Sequence, residues 1–567
     1  MFVILTPATQ TTVFVFSAME FNSAISVGID IFDIIQKENL EDCVNLIKQD
    51  HSLLARKGWS GFTPLHYAAF QGNRGLAELL LQHGADPNLP NDAGQTPFHF
   101  ACRHGDVHII HRMLKYEADV NLTDSQWKTA LHHAVIGGNL FAIRYLEELG
   151  TFNFCDTDKR LLTPLHLAAS TGNTDVVRYL LRNSRCQADA TDNQGMTPMH
   201  IAAEKGAIEI SWLLLQAVGF RNLHLKAKNG LAPLDIAKQG ITFRHQELVK
   251  VLNKYSKEPH DRKPKESYGM YYWTLLFPGV SASVVFFISS ALGKYGGIFC
   301  ALVFPWLARA TFSQYHRMND IQRLPNPAYL GTFAAGIFHS LVCFFYKILP
   351  TIWPANTLLL VSATHFSGIL WMFKVVLTKD PGRLQSAEPE TKFKTIADLV
   401  DANESLCKFC VYCEVFQPER AKHCKLCNCC VLEYDHHCIF LKNCIGKNNH
   451  QFFILFIMGV AVAHLIFTFS ALYYIYLKFD LHFWALLTTV ISNEAWVIAL
   501  AVMNVFTLVW EGWLLMEQFK VVSVGTTIYF KHETDAKQYT WRHRCRTFFT
   551  FLLEGRRTSQ EKVSVII

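Results

Sequence analysis

Thr163-Pro164-Leu165-His166 decides the architecture, because the chain repeats it. Thr63-Pro64-Leu65-His66, Thr96-Pro97-Phe98-His99, Thr129-Ala130-Leu131-His132 and Thr197-Pro198-Met199-His200 fill the same slot, at steps of 33, 33, 34 and 34 residues in chain order. A degenerate copy, Ala232-Pro233-Leu234-Asp235, follows 35 residues later. Threonine can cap a helix start, proline fits the first helical position, and leucine packs against the next unit. Gly84-Ala85-Asp86-Pro87-Asn88 supplies a turn that closes a helix pair. A period of this length marks a solenoid, in which each unit buries its apolar face only against its neighbours. His66, His99, His132, His166 and His200 each occupy one slot of their own unit. Their spacing therefore needs no metal, and a hydrogen bond to nearby backbone accounts for it.

The repeat resembles the ankyrin repeat. Residues 27–255 hold about seven units, with degenerate caps from about Val27 to Ser60 and from about Asn222 to Lys254. The resemblance implies a concave, protein-binding surface. Residues 1–26 are an undefined leader: no Lys or Arg precedes Lys37, which is unlike a secretory signal.

A second half of different character follows. Of the 567 residues 50% are apolar and only 18% charged, a balance diluted towards lipid. A basic linker, 256–270, carries Lys257, Arg262, Lys263 and Lys265 with Pro259 and Pro264. Apolar runs then occupy 271–293, 296–313, 328–349, 355–377, 452–476 and 495–517. Each is near the length a helix needs to cross the hydrocarbon, so about six spans are expected: four within 271–377 and two within 452–517. Residues 378–451 carry ten Lys and Arg and the tail 518–567 carries nine, whereas the turns at 294–295 and 350–354 hold one lysine. Positive charge stays cytosolic, so both termini and the loop 378–451 are expected there. The expected fold is all-α: a repeat solenoid, then a polytopic helix bundle with a cysteine-rich cytosolic loop. A net charge of +6 is small for this length and gives no case for nucleic acid.

Nine of the 16 cysteines lie in that loop. It reads Cys410-x2-Cys413, then His423-Cys424-x2-Cys427-x2-Cys430, then Asp435-His436-His437-Cys438, with Cys444 beyond. Thiolates and imidazoles at knuckle spacing suit tetrahedral zinc in a reducing compartment. A loop between two spans has little core of its own, and metal would hold its shape.

Asp435-His436-His437-Cys438, with the flanking cysteines and Asn443-Cys444-Ile445-Gly446-x2-Asn449, resembles the DHHC family of protein palmitoyltransferases. Gln417-Pro418-Glu419-Arg420 and Asp380-Pro381-Gly382 sit where that family has similar motifs, and ankyrin repeats ahead of six spans resemble its ankyrin-bearing subgroup. The resemblance implies two structural zinc sites: Cys410, Cys413, His423 and Cys430; and Cys424, Cys427, His437 and Cys444. Cys407 and Cys429 are surplus. It further implies that Asp435 orients His436, that His436 takes the thiol proton, and that Cys438 accepts a fatty acyl group from acyl-CoA (palmitoyl-CoA) as a thioester. The acceptors would be cysteines of cytoplasmic or membrane-associated proteins docked on the repeats, at the Golgi or another endomembrane.

Three departures stand out. Ile439-Phe440 replaces the family's Pro-Trp, Thr526-Thr527-Ile528-Tyr529 lacks the acid of Thr-Thr-x-Glu, and the aromatic tail motif is loose around Tyr539 and Trp541. Two other readings are open: a catalytically inactive ankyrin membrane scaffold, and a cation channel. The channel would need a re-entrant filter between the last two spans, but 481–495 has one acid, Glu494, and no glycine. Val565-Ile566-Ile567 reads as an ordinary frayed tail, with docking in a groove that captures C-termini as the alternative.

Overall fold

The computed structural model describes residues 31–37, 39–260, 262–264, 268–292, 295–312, 326–352, 356–384, 393–479, 494–531 and 539–555. The leader 1–26, the loop 481–493 and Val565-Ile566-Ile567 lie outside the described residues.

Each Thr-Pro-x-His string opens a helix. In the helix Pro64–Gln71, the Nδ1 of His66 accepts from the Thr63 N–H at 3.1 Å and lies 2.8 Å from its hydroxyl, a reciprocal cap with proline in the first turn. Nε2 of His66 reaches the Gln95 carbonyl of the next unit at 2.9 Å. His66, His99 and His166 thus do what the spacing suggests, joining a helix start to neighbouring backbone. The same cap recurs in the helices Pro97–His104, Ala130–Gly137, Pro164–Thr171 and Pro198–Glu204. A left-handed glycine closes the first helix of four pairs, at Gly72, Gly105, Gly138 and Gly172, with Gly105 at φ 87°. A Cβ there would fall 2.3 Å from that of Asn139, whose amide bonds to the Gly105 carbonyl in the next repeat. Second helices follow at Arg74–Gln82, Val107–Lys115, Leu140–Glu148, Thr174–Leu181 and Ile208–Val218. With Ile31–Gln36 and Leu40–Gln49 before them, and Pro233–Gln239 and Phe243–Tyr255 after, the described residues hold seven helix pairs over one continuous core.

Five helices are long and apolar enough to cross a membrane, in segments Tyr271–Ser289, Ala328–Ile352, Leu359–Thr378, His450–Lys478 and Ala495–Val522. The helix Gly296–Phe312, where a further span is expected, has 17 residues. The long helices bury two apolar clusters between them and leave Phe287, Leu302, Trp306, Tyr346 and Phe506 exposed, as a lipid-facing bundle does. Helix and apolar run do not end together. The last run stops at 517, but the helix continues to Val522 and carries Gln518 to a fully buried position.

The cysteine-rich loop corrects the all-α expectation. It folds as three two-stranded antiparallel sheets: β1 (Phe409–Cys410) with β2 (Val415–Phe416), β3 (Lys422–Cys424) with β4 (Cys429–Val431), and β5 (His436–Cys438) with β6 (Asn443–Ile445). The cysteine spacing leaves only tight turns, and these take left-handed residues at Glu414, Asn428 and Lys442, with φ of 58°, 51° and 51°.

One contact was not expected. The helix Ile396–Asp401 and the β1–β2 hairpin lie against the second helices of the repeats, where Ile396, Leu399, Phe409 and Val411 complete the solenoid's own core.

Candidate active site and metal centres

Strand pleating sorts the Asp-His-His-Cys run. Successive side chains of a strand face opposite ways, so in β5 His436 and Cys438 share one face and His437 takes the other. The register pairs His437 with Cys444 and Cys438 with Asn443. His437 thereby joins Cys424, Cys427 and Cys444, and the second group brings together Cys410, Cys413, His423 and Cys430. Within each group the ligand atoms lie within 4.8 Å of one another, so both could hold a metal ion. Nδ1 of His437 stands 3.6, 3.3 and 3.6 Å from the sulfurs of Cys424, Cys427 and Cys444. A tetrahedron with bonds of about 2.3 Å to sulfur and about 2.0 Å to nitrogen has edges of about 3.5 Å, so the donors fit zinc. Cys427 and Cys444 sulfurs are 3.4 Å apart. Hydrogen bonds among these crowded thiols push Cys424 down and Cys427 up from the ordinary thiol range, a split that a bound cation would remove. Cys407 and Cys429 belong to neither group.

On the opposite face stand His436 and Cys438, two of the three candidate catalytic residues. Nδ1 of His436 is 2.8 Å from Oδ2 of Asp435, a carboxylate only 2% exposed. Cys438 is half-buried against the apolar bundle, on the same face of β5 as His436. Burial opposes the imidazolium, but the interactions with Asp435 and Cys438 prevail and lift His436 to about 10. Burial would raise Asp435 too, yet the charges and hydrogen bonds of His450, His436 and the Ile528 N–H hold it below the usual carboxylate range.

Several members of this site were not legible as such. Asp435 Oδ2 accepts from Gln518 Nε2 at 2.9 Å, and Oδ1 accepts from the Ile528 N–H at 2.7 Å. Gln518 Oε1 is 2.6 Å from Nε2 of His450, which is fully buried at the start of its helix. Thr527 donates to the Tyr434 carbonyl at 2.8 Å, and Arg420 donates to the Gly525 carbonyl at 2.7 Å. The motif Thr526-Thr527 was visible in the sequence; its role, bracing the turn that aims Ile528 at Asp435, was not. Asn443 donates to the carbonyls of Val376 and Lys379, both at 3.1 Å, and so ties β6 to the end of the helix Asn356–Thr378. The departing residues fall around this set. Tyr529 is 45% exposed and faces Tyr434, away from Asp435. Phe440 enters an aromatic group with Tyr329, Phe333 and Trp510, at ring distances of 5.8, 6.4 and 5.5 Å.

Comparison with known proteins agrees with this geometry. Residues 403–537 match the DHHC palmitoyltransferase family, residues 149–226 match ankyrin repeats in three copies, and residues 65–114 match ankyrin repeats in many copies. Palmitoyltransferase ZDHHC17 of Rattus norvegicus is 27% identical over 273 residues, covering 44% of this chain and 41% of the relative. Palmitoyltransferase ZDHHC13 of Homo sapiens is 27% identical over 186 residues, 32% of this chain and 29% of the relative. Palmitoyltransferase akr1 of Emericella nidulans is 29% identical over 199 residues, 34% and 27% respectively. The matched part thus spans about two fifths or less of these relatives' length. The human ASB11 ankyrin repeat domain aligns with 40% of this chain and 98% of its own, at 24% identity and a TM-score of 0.35.

Proposed function

We propose that this chain, which carries a DHHC palmitoyltransferase domain behind ankyrin repeats, is a protein S-acyltransferase that moves a fatty acyl group from acyl-CoA to protein cysteines. The observation that supports the reading is the Asp435–His436 pair with Cys438 on the same face of β5 as His436, opposite His437 of the second candidate metal group.

In this reading His436 takes the proton of Cys438, and the thiolate attacks the thioester carbonyl of acyl-CoA. The carbon–sulfur bond to coenzyme A breaks, its thiolate takes up the proton, and the acyl group stays on Cys438. A substrate cysteine then attacks this second thioester and releases Cys438 as a thiol. Asp435, fixed by Gln518 and the Ile528 N–H, keeps His436 oriented and favours its protonated form. Burying a methylene is worth about 0.8 kcal/mol, so an acyl chain of about fifteen gains roughly 12 kcal/mol by entering the bundle beside Cys438. Zinc bound to Cys410, Cys413, His423 and Cys430, and to Cys424, Cys427, His437 and Cys444, would be structural, since each set fills a tetrahedron and leaves no position for water.

We further propose six spans with both termini and the reactive loop cytosolic, an endomembrane or Golgi location, and substrates docked on the repeats. The concentration of basic residues in 378–451 and the tail supports that orientation.

The decisive experiment is autoacylation with labelled palmitoyl-CoA. Wild-type protein should take up label that hydroxylamine removes. Cys438→Ser should take up none while keeping about two zinc ions per chain. Label persisting in Cys438→Ser would discard the mechanism, and an unlabelled wild type with full metal would favour an inactive scaffold.

A further inference from the structure

The contact between the cysteine-rich loop and the repeats is built from both sides, with apolar burial, ion pairs and capping. Ile396 and Leu399 are fully buried in it, and the Ile396 N–H donates to the Glu148 carboxylate at 2.8 Å. Asp401 pairs with Lys115 and with Nε2 of His111 at 3.0 Å, while Nδ1 of the same ring meets the Tyr145 hydroxyl at 2.7 Å. Both hydrogen bonds to Asp401 pull its carboxyl below the usual range. Further along, Glu414 at the β1–β2 turn meets three guanidiniums: Arg185 at 2.9 Å, Arg182 at 3.5 Å and Arg144 at 3.8 Å. Arg182 also donates to the Tyr412 carbonyl, and the Tyr412 hydroxyl reaches Asp175 at 3.4 Å.

Every stack residue in this set comes from a second helix, Val107–Lys115, Leu140–Glu148 or Thr174–Leu181, or from the residues just after the last. Among the described residues, none of these contacts comes from a first helix. The loop residues, in turn, lie on the first metal group: Cys410 and Cys413 flank Val411 and Tyr412, whose ring stacks on His423 at 4.9 Å. His423 and Cys424 are neighbours in β3, and Cys424 belongs to the second group, which holds β5. A continuous path of short links therefore runs from the second helices to the strand that carries Cys438.

We propose that the second-helix face of the repeats is a docking surface occupied by this chain's own residues 395–416, and that this internal clamp makes the repeats a fixed part of the reactive unit. The docking does not depend on the acyl-transfer reading, whereas its effect on Cys438 rests on it. A tethered arm would raise local concentration through its linker alone. A clamped one holds partners on the first-helix side at a set position from the reactive thiol, so its substrates would carry their acceptor cysteine on a flexible segment at a set distance from the docking element.

Hydrogen exchange on the full chain in detergent tests the clamp with variants that spare every metal ligand. Leu399→Ser with Asp401→Lys should speed exchange over 396–401 about tenfold or more, leaving the repeat helices and zinc content unchanged. Adding Lys115→Asp should restore part of the protection by reversing the charge pair. A Gly/Ser insert of about 40 residues after Pro264, long enough to relax a tether, should leave that protection intact. Exchange over 396–401 that ignores the double variant, or that rises with the insert alone, would overturn the docking. Autoacylation reads the second half of the proposal: the double variant should be at least about threefold slower. Faster exchange with unchanged autoacylation would show a dock that is not part of the reactive unit. A wild type without autoacylation would reject the enzyme reading and leave the exchange result standing.

Discussion

At the scale of single residues, the candidate site turns on one buried carboxylate. Asp435 is spoken for at both oxygens, by His436 and Gln518 on one and by the Ile528 N–H on the other. Gln518→Leu removes a donor of similar size and leaves His450 facing an apolar group. A buried hydrogen bond to a charged group is worth about 1.5–3 kcal/mol, so autoacylation should fall about 10- to 100-fold with zinc content unchanged. Gln518→Glu should fare no better, because it sets a second carboxylate against Asp435; equal rates in all three proteins would remove Gln518 from the site. The sequence hides this residue for a physical reason. Hydropathy marks where lipid ends, and Gln518 lies one residue past the apolar run, on a helix that continues because tertiary partners await it. The two groups that could hold a metal, by contrast, are written into local spacing and were readable from it.

At the scale of elements, the repeat histidines make the stack sensitive to acid. Nδ1 of His66 and of His99 accepts a backbone N–H, so neither ring can gain a proton there without breaking its cap. Burial, with little to offset it, depresses both to about 4. A group whose folded pKa lies below its unfolded value of about 6.5 costs stability as pH falls through 6.5, and the loss is complete below 4. At pH 5 each should cost about 2 kcal/mol, read as faster hydrogen exchange in the helices Pro64–Gln71 and Pro97–His104 than at pH 7.5. Exchange that is constant after correction for its intrinsic pH dependence would contradict this. In the bundle, a Cβ on Gly331 would fall 2.1 Å from the Leu275 carbonyl. Gly331→Leu should therefore force the helices Tyr268–Ala291 and Ala328–Cys343 apart and destabilise the bundle by about 1–3 kcal/mol, seen as a lower melting temperature in detergent. The repeats could be read from sequence because their contacts recur at a fixed short interval. The dock could not: Ile396 meets Glu148 across 248 residues, from a stretch with no motif.

At the scale of the whole molecule, metal would tie the parts together, since the only apolar core around the second group among the described residues is small. Cys427→Ser should lower zinc to about one ion per chain and abolish autoacylation, although Cys427 groups with His437 and not with Cys438. Elemental analysis beside the labelling assay checks it, and an active protein with one zinc would refute it.

The alternation in β5 also sets which kinds of genetic change this region can survive. The candidate metal ligand His437 is interleaved, with a period of two, between the candidate reactive residues His436 and Cys438 on a strand three residues long. A substitution spoils one task at a time. A one-codon insertion or deletion inside the strand is another matter, because it turns the pleat over and would turn Cys438 towards the candidate metal group and His437 towards the apolar bundle. Scanning this segment with in-frame single-residue indels should find it far less tolerant than the turn around Lys442, and changes of two residues should do less harm than changes of one.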